Sequence, residues 1–208
     1  NNVEIPQAVH STLSYAPRPD KNKLINTAAD HLAATGYTEI MSNSLTKAAY
    51  YEGLSSYKAE ECVKIMNPLS ADLNVMRQTL LFNALEAVAL NINHRTLDLR
   101  LFEMGNCYHF HPEVEAGDKP LARYSESYRI GITVTGQDAT PSWNVKAAKA
   151  SFYTLRAAVE KLLRRFGLDI YALKAEPTQN DIFSEGLTLS LNGKVLLEMG
   201  VVSAKMRK

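Results

Sequence analysis

Apolar positions along the chain follow two periods, and together they predict three helices and a set of strands. Leu24, Ala28 and Leu32, with Ile25 beside them, recur at helical spacing behind Asp20, a good N-cap, and ahead of Gly36, a natural stop. This predicts a helix over 20–35. Leu81, Leu85, Val88 and Ile92 give a second helix, 81–94, one buried stripe. A third, 148–166, sets Phe152, Leu155, Val159, Leu162 and Leu163 on one side and Tyr153, Ala157, Glu160 and Arg164 on the other, and Gly167 ends it.

Strands are predicted at Tyr37–Leu45, at Leu97–Tyr108, where Gly105 marks a bulge or a close backbone approach, and at Tyr128–Val134. Leu187–Leu191 and Val195–Val202 flank Asn192-Gly193, which accepts the positive φ angles of a type I′ hairpin turn. Asn67-Pro68 ends the apolar run from Cys62 to Met66, because the residue before proline is pushed into an extended conformation. Thr46 is placed to cap a short helix to Tyr51, with Tyr50 and Tyr51 exposed. His111 to Pro120 reads as a solvated acidic loop and 136–142 as a turn. Strands and helices do not alternate as a doubly wound sheet requires, so the predicted class is α+β, a mixed and mainly antiparallel sheet carrying three helices.

Composition narrows the function little. The chain has 208 residues, 46% of them apolar and 22% charged, an ordinary globular balance able to bury a core. Its net charge of +1 gives no overall steering field for nucleic acid. The longest apolar run falls short of the ~20 residues a membrane span needs, and no signal-peptide pattern opens the chain. Two cysteines, Cys62 and Cys107, are no disulfide framework and suit a reducing cytosol.

Three motifs in order carry a more specific signal: Asn67-Pro68-Leu69-Ser70, then Met76-Arg77-Gln78-Thr79-Leu80-Leu81, then Arg100-Leu101-Phe102-Glu103-Met104-Gly105. This stretch closely resembles the catalytic-like region of the β subunit of bacterial phenylalanyl-tRNA synthetase. Trp143 ahead of the Phe152-Tyr153 helix and the Asn192-Gly193-Lys194 hairpin follow the same family order. Where the family often has His-Pro-Gly, a loop before the hairpin reads Phe183-Ser184-Glu185-Gly186. The opening Asn1-Asn2-Val3-Glu4-Ile5-Pro6 resembles the tail of the family's preceding domain. The resemblance therefore implies that 1–208 is one class II synthetase-like domain, an internal piece of a longer multidomain subunit. It implies a cytoplasmic ligase that attaches phenylalanine to tRNA, with a catalytic α subunit as partner in an α2β2 assembly. It makes helix 20–35 and its strand a dimerisation element, so that part of its apolar surface faces another subunit.

The resemblance also bears on chemistry. Adenylate formation in class II synthetases needs cations on the ATP phosphates. Laid on the related α-subunit pattern, the phosphate-holding arginine position reads His109 and the following acid reads His111. A neutral imidazole poorly replaces a bidentate guanidinium. The second phosphate-binding arginine motif is also missing from the chain. No catalytic, cofactor-binding or metal-binding residue is therefore assigned; ATP and Mg2+ belong to the whole enzyme by resemblance.

Arg77 and Glu103 sit in apolar contexts and read either as remnants of a substrate cleft or as a buried pair fixing helix to sheet, and the pair is favoured because buried charges need partners. Cys107, His109 and His111 alternate onto one face, but no fourth ligand is visible and the spacing is not that of a zinc ribbon or finger. His10 and His31 stand alone. Arg156, Lys161, Arg164, Arg165 and the tail Lys205 to Lys208 read as a solvated basic face rather than an RNA contact, for want of interleaved aromatics. Two competing functions are a self-sufficient adenylate-forming ligase, which an arginine at position 109 or in the second phosphate-binding motif would favour, and a small-molecule-binding module bounded by Arg77 and Glu103.

Overall fold

In a computed structural model, the structure describes Thr12 and residues 20–206 apart from 116, 140 and 141. The readings of Asn1–Pro6, His10 and the last two tail residues lie outside the described residues.

Asp20 caps α1 (Lys21–Ala34) by accepting from the Asn22 amide at 2.9 Å, and Gly36 leaves the helix at φ +89°. Ala28 and Leu32 are fully buried, but Leu24 is 44% exposed, so the α1 stripe reaches the core only through its C-terminal half. The single strand expected over Tyr37–Leu45 is two short pieces, β1 (Thr38–Glu39) and β2 (Leu45–Thr46). Between them the Ser42 amide turns onto a Glu103 carboxylate oxygen at 3.0 Å instead of continuing the ladder. Residues 48–51 form the expected short helical turn, of 3-10 type. Its capping acceptor is the Asn74 side chain, not Thr46, which lies buried in β2. Tyr51, expected to be exposed, is fully buried against Phe82, Val75 and Cys62.

β3 (Val75–Met76) pairs with β2, and α2 (Leu81–Asn93) follows. The buried residues of α2 are Phe82, Asn83 and Ala84, not the stripe read from the sequence. The fully buried positions all fall in the first turn; Leu85 and Val88 are half-buried and Leu90 and Ile92 exposed.

β4 (Leu99–Phe110) and β5 (Tyr124–Thr135) form an unbroken antiparallel ladder, with β1 parallel on the other edge of β4. The Gly105 signal is thus a close approach and not a bulge. α3 (Phe152–Arg165) starts four residues later than expected, because 148–150 run extended. Ala150 N donates to Gly136 O and Asp138 N to Ala148 O, and Ser151 then opens the helix with a capping box to Thr154. β6 (Lys174–Pro177), unforeseen, pairs with β7 (Phe183–Leu191), and β7 with β8 (Lys194–Val202) across Asn192 and Gly193, both at positive φ. Phe183–Gly186 is strand, with a register shift, rather than loop.

Alternation on β4 and β5 defines two faces. Phe102, Met104, Ile132 and Val134 pack beneath α1 and α3 around Ala28, Leu32 and Leu162. Leu163, the next residue of α3, instead joins Leu189 and Met199 of the C-terminal hairpin, so one helix ties two cores together. The opposite face of β4 carries Glu103, Gly105, Cys107 and His109 and meets the approach to α2. Among the described residues, no helix is long and apolar enough to cross a membrane.

Candidate functional site

The segment Arg77–Leu80 is clamped on this second face by its own backbone. Arg77 N donates to Ser44 O and Tyr108 N donates to Arg77 O, both at 2.9 Å, which stitches β2, the segment and β4 into one layer. The Arg77 side chain, 3% exposed, then has nowhere to go but along β4. Its Nη1 donates to Glu103 Oε1 at 2.6 Å and its Nε to the Asn106 carbonyl at 3.0 Å. Gly105, two residues from Glu103 on the same face, supplies the space, since a Cβ there would stand 2.1 Å from Arg77 Nη2. Gly131, opposite Glu103 in β5, does the same for Leu80, whose Cβ would lie 3.2 Å from an added methyl. The Phe-Glu-x-Gly word thus has a physical meaning: one position contacts the helical core, one holds the arginine, one makes room for it.

The pair is not fully satisfied. Glu103 Oε1 accepts from both Arg77 and the Ser42 amide, while the buried Oε2 meets no protein donor among the described residues. Gln78, also buried, donates from its amide nitrogen to Tyr51 Oη and from Nε2 to Lys58 O and Cys62 Sγ. Burial pushes the Cys62 and Cys107 thiols up, so both stay protonated and unreactive at neutral pH.

Further along the same face His109 is half-buried. Burial, and then the nearby Arg129 guanidinium, push its pKa below the usual 6.5, so the imidazole is neutral at pH 7. His111 lies one residue beyond β4, with Nε2 at 2.7 Å from Ser125 Oγ and Nδ1 at 3.5 Å from Glu113. Cys107, His109 and His111 do not converge, and among the described residues no three His, Cys, Asp or Glu side chains are placed to hold a metal. Arg77 and Glu103 are brought together; His31 and the cations of α3 lie on elements that do not reach this face.

Sequence reasoning missed Arg129. It sits opposite Gly105 in the β4–β5 register, exposed, with Nε donating to Ser127 Oγ at 3.0 Å. An arginine inside an apolar strand pattern was the signal, and only the register shows which face it takes.

Residues 5–208 match the family described as "Phenylalanyl tRNA synthetase beta chain CLM domain". The chain belongs to that family. It is 48% identical to a phenylalanine–tRNA ligase β subunit of Bacteroides fragilis, an alignment covering all of this chain and 26% of that protein. It is 38% identical to the one from Porphyromonas gingivalis, with the same coverage. The chain therefore spans about a quarter of the length of these curated relatives. In fold it is similar to the solved structure of Desulfitobacterium hafniense PylSc, a pyrrolysyl tRNA synthetase, at a TM-score of 0.58 and 15% identity, covering 87% of this chain and 56% of that one. The α+β class with a synthetase-like, mainly antiparallel sheet is thereby established for this member of the β-chain family.

Proposed function

We propose that this chain is the catalytic-like scaffold of a cytoplasmic phenylalanine–tRNA ligase, a single domain of a longer β subunit. It packs on a catalytic α subunit within an α2β2 assembly, supports the bound tRNA, and leaves ATP and Mg2+ to that partner. The observation that carries this reading is His109. At the position where resemblance expects a phosphate-holding arginine there is an imidazole kept neutral by burial and by Arg129. The buried guanidinium nearby, Arg77, is committed to Glu103 and the Asn106 carbonyl and is not free to meet a phosphate. The small-molecule alternative bounded by Arg77 and Glu103 finds little support, since both side chains are buried and bonded to each other.

Support for a subunit partner comes from the other face of the sheet. The N-terminal half of α1 leaves Leu24 and Ile25 beside Met104, Tyr128, Ile130 and Phe166 in an apolar groove. Burying exposed apolar surface of this kind contributes ~25 cal/mol per Å2. The test is association of this chain with the α subunit by sedimentation velocity. Complex formation, lost in a Leu24→Asp/Ile130→Asp variant that keeps its circular dichroism, is expected. A chain that sediments alone at equimolar α subunit would remove the scaffold reading.

A further inference from the structure

Positive charge is concentrated on α3. The chain as a whole carries only +1, yet this 14-residue helix holds Arg156, Lys161, Arg164 and Arg165 against one carboxylate, Glu160. Arg156 is taken up by Glu160 at 2.7 Å. Lys161, Arg164 and Arg165 are exposed, and among the described residues none of them forms a salt bridge.

The direction of this charge is fixed. Leu162 packs into the core under α1 and Leu163 into the core of the hairpin, so both sides of the buried stripe are anchored. Tyr153, Ala157, Lys161 and Arg164, spaced at helical repeats, point the opposite way, and all are exposed. Tyr153 is 73% exposed, and its ring meets Phe152 edge-on with centroids 5.8 Å apart, which supports the ring without covering it. The favourable interaction of cations with a helix C-terminus accounts for Arg164 and Arg165 in the last turn. It accounts neither for Lys161, a turn earlier, nor for an uncovered tyrosine in line with it.

We propose that this face of α3 binds the backbone of RNA: Lys161, Arg164 and Arg165 neutralise phosphates and Tyr153 offers a flat surface to a base. The expectation of a merely solvated face rested on a lack of interleaved aromatics, whereas α3 sets exposed Tyr153 in line with Lys161 and Arg164. That ring favours RNA over an acidic protein segment, and Ala157 between ring and cations lets a backbone come close. The stripe has no large aliphatic side chain, which disfavours a lipid surface. The proposed ligase function enters only in naming the RNA as a tRNA; the contact itself rests on α3.

The experiment is fluorescence anisotropy of the 208-residue chain with a labelled tRNA transcript and a labelled single-stranded RNA at 50–200 mM salt. Three phosphate contacts predict a log–log salt slope of about −2 to −3. Lys161→Glu/Arg164→Glu/Arg165→Glu, all outward-facing and checked for folding by circular dichroism, should weaken binding more than ~30-fold and bring the slope towards zero. Tyr153→Ala should weaken it several-fold and leave the slope unchanged. No RNA binding by the parent chain, a triple variant that binds like the parent, or a polyglutamate peptide bound as tightly as RNA would each overturn the proposal. Association with the α subunit is measured separately, so failure of the ligase reading and failure of the RNA contact are distinguishable.

Discussion

Gly105 and Arg77 share one space: the hydrogen of the glycine faces the guanidinium, and a methyl group there would lie 2.1 Å from Nη2 and 3.2 Å from Cζ. The far end of an arginine can often swing aside, but this one is buried and held by Glu103 and the Asn106 carbonyl. Gly105→Ala should therefore destabilise the chain by at least about 2 kcal/mol, through overpacking and loss of the pair. Urea denaturation measures it, and an unchanged midpoint would mean that the arginine has a second home.

Removing one member of the Arg77–Glu103 pair should cost more than removing both. Arg77→Met or Glu103→Leu alone leaves a buried charge unmatched and should cost about 3–5 kcal/mol, whereas the double substitution should recover much of that loss. A double-mutant cycle on unfolding free energy checks this. Additive losses would show that the two charges act independently.

Tyr51 makes a comparable point without charge. Its hydroxyl accepts the Gln78 amide at 3.0 Å in the core, so Tyr51→Phe strands a buried N–H at about 1–3 kcal/mol. Thermal unfolding of that variant should show a clear drop; an unshifted transition would mean that water reaches Gln78.

Much of this was legible from residues alone, for definable reasons. α1 and the Asn192-Gly193 hairpin carry their own local signals, a cap and a positive-φ turn, and both appear where expected. The Arg77–Glu103 pair could be anticipated because two charges in apolar contexts need each other. Features decided by distant partners were not legible. The break between β1 and β2 depends on Ser42 meeting a carboxylate 61 residues away. The late start of α3 depends on 148–150 pairing with 136–138, and the burial of Tyr51 on Gln78 arriving from β3. The α2 stripe is only partly buried, because periodicity reports an apolar face and not what packs against it.

Asp181 links two parts of the chain that are remote in sequence, accepting from the Ser55 amide at 2.6 Å and the Ser56 amide at 3.2 Å as well as from the Ser56 hydroxyl. Burial, the largest influence, raises its pKa, but the Ser56 hydroxyl and the backbone amides outweigh it and bring the carboxyl down from 3.8 to about 2. Because the folded pKa lies below the unfolded one, this contribution is complete above about pH 4 and is lost as pH falls towards 2. Asp181→Asn should therefore be less stable than the parent at pH 6 and approach it near pH 2, seen as converging urea midpoints. A constant gap across that range would remove the carboxylate from the account. Since the half-buried carboxylate lies at the surface and is partly screened by solvent, the effect should be modest.

The central claim, that this chain is a scaffold and not a self-sufficient ligase, meets its most direct test in pyrophosphate exchange. Each missing phosphate donor costs ~10²–10³ in rate, and the face presents a neutral His109 where the resemblance expects an arginine. The purified chain with Mg-ATP and phenylalanine should stay at background, and exchange should appear only when the α subunit is added. Exchange by the chain alone, abolished by His109→Ala, would contradict the account and make this domain an enzyme in its own right.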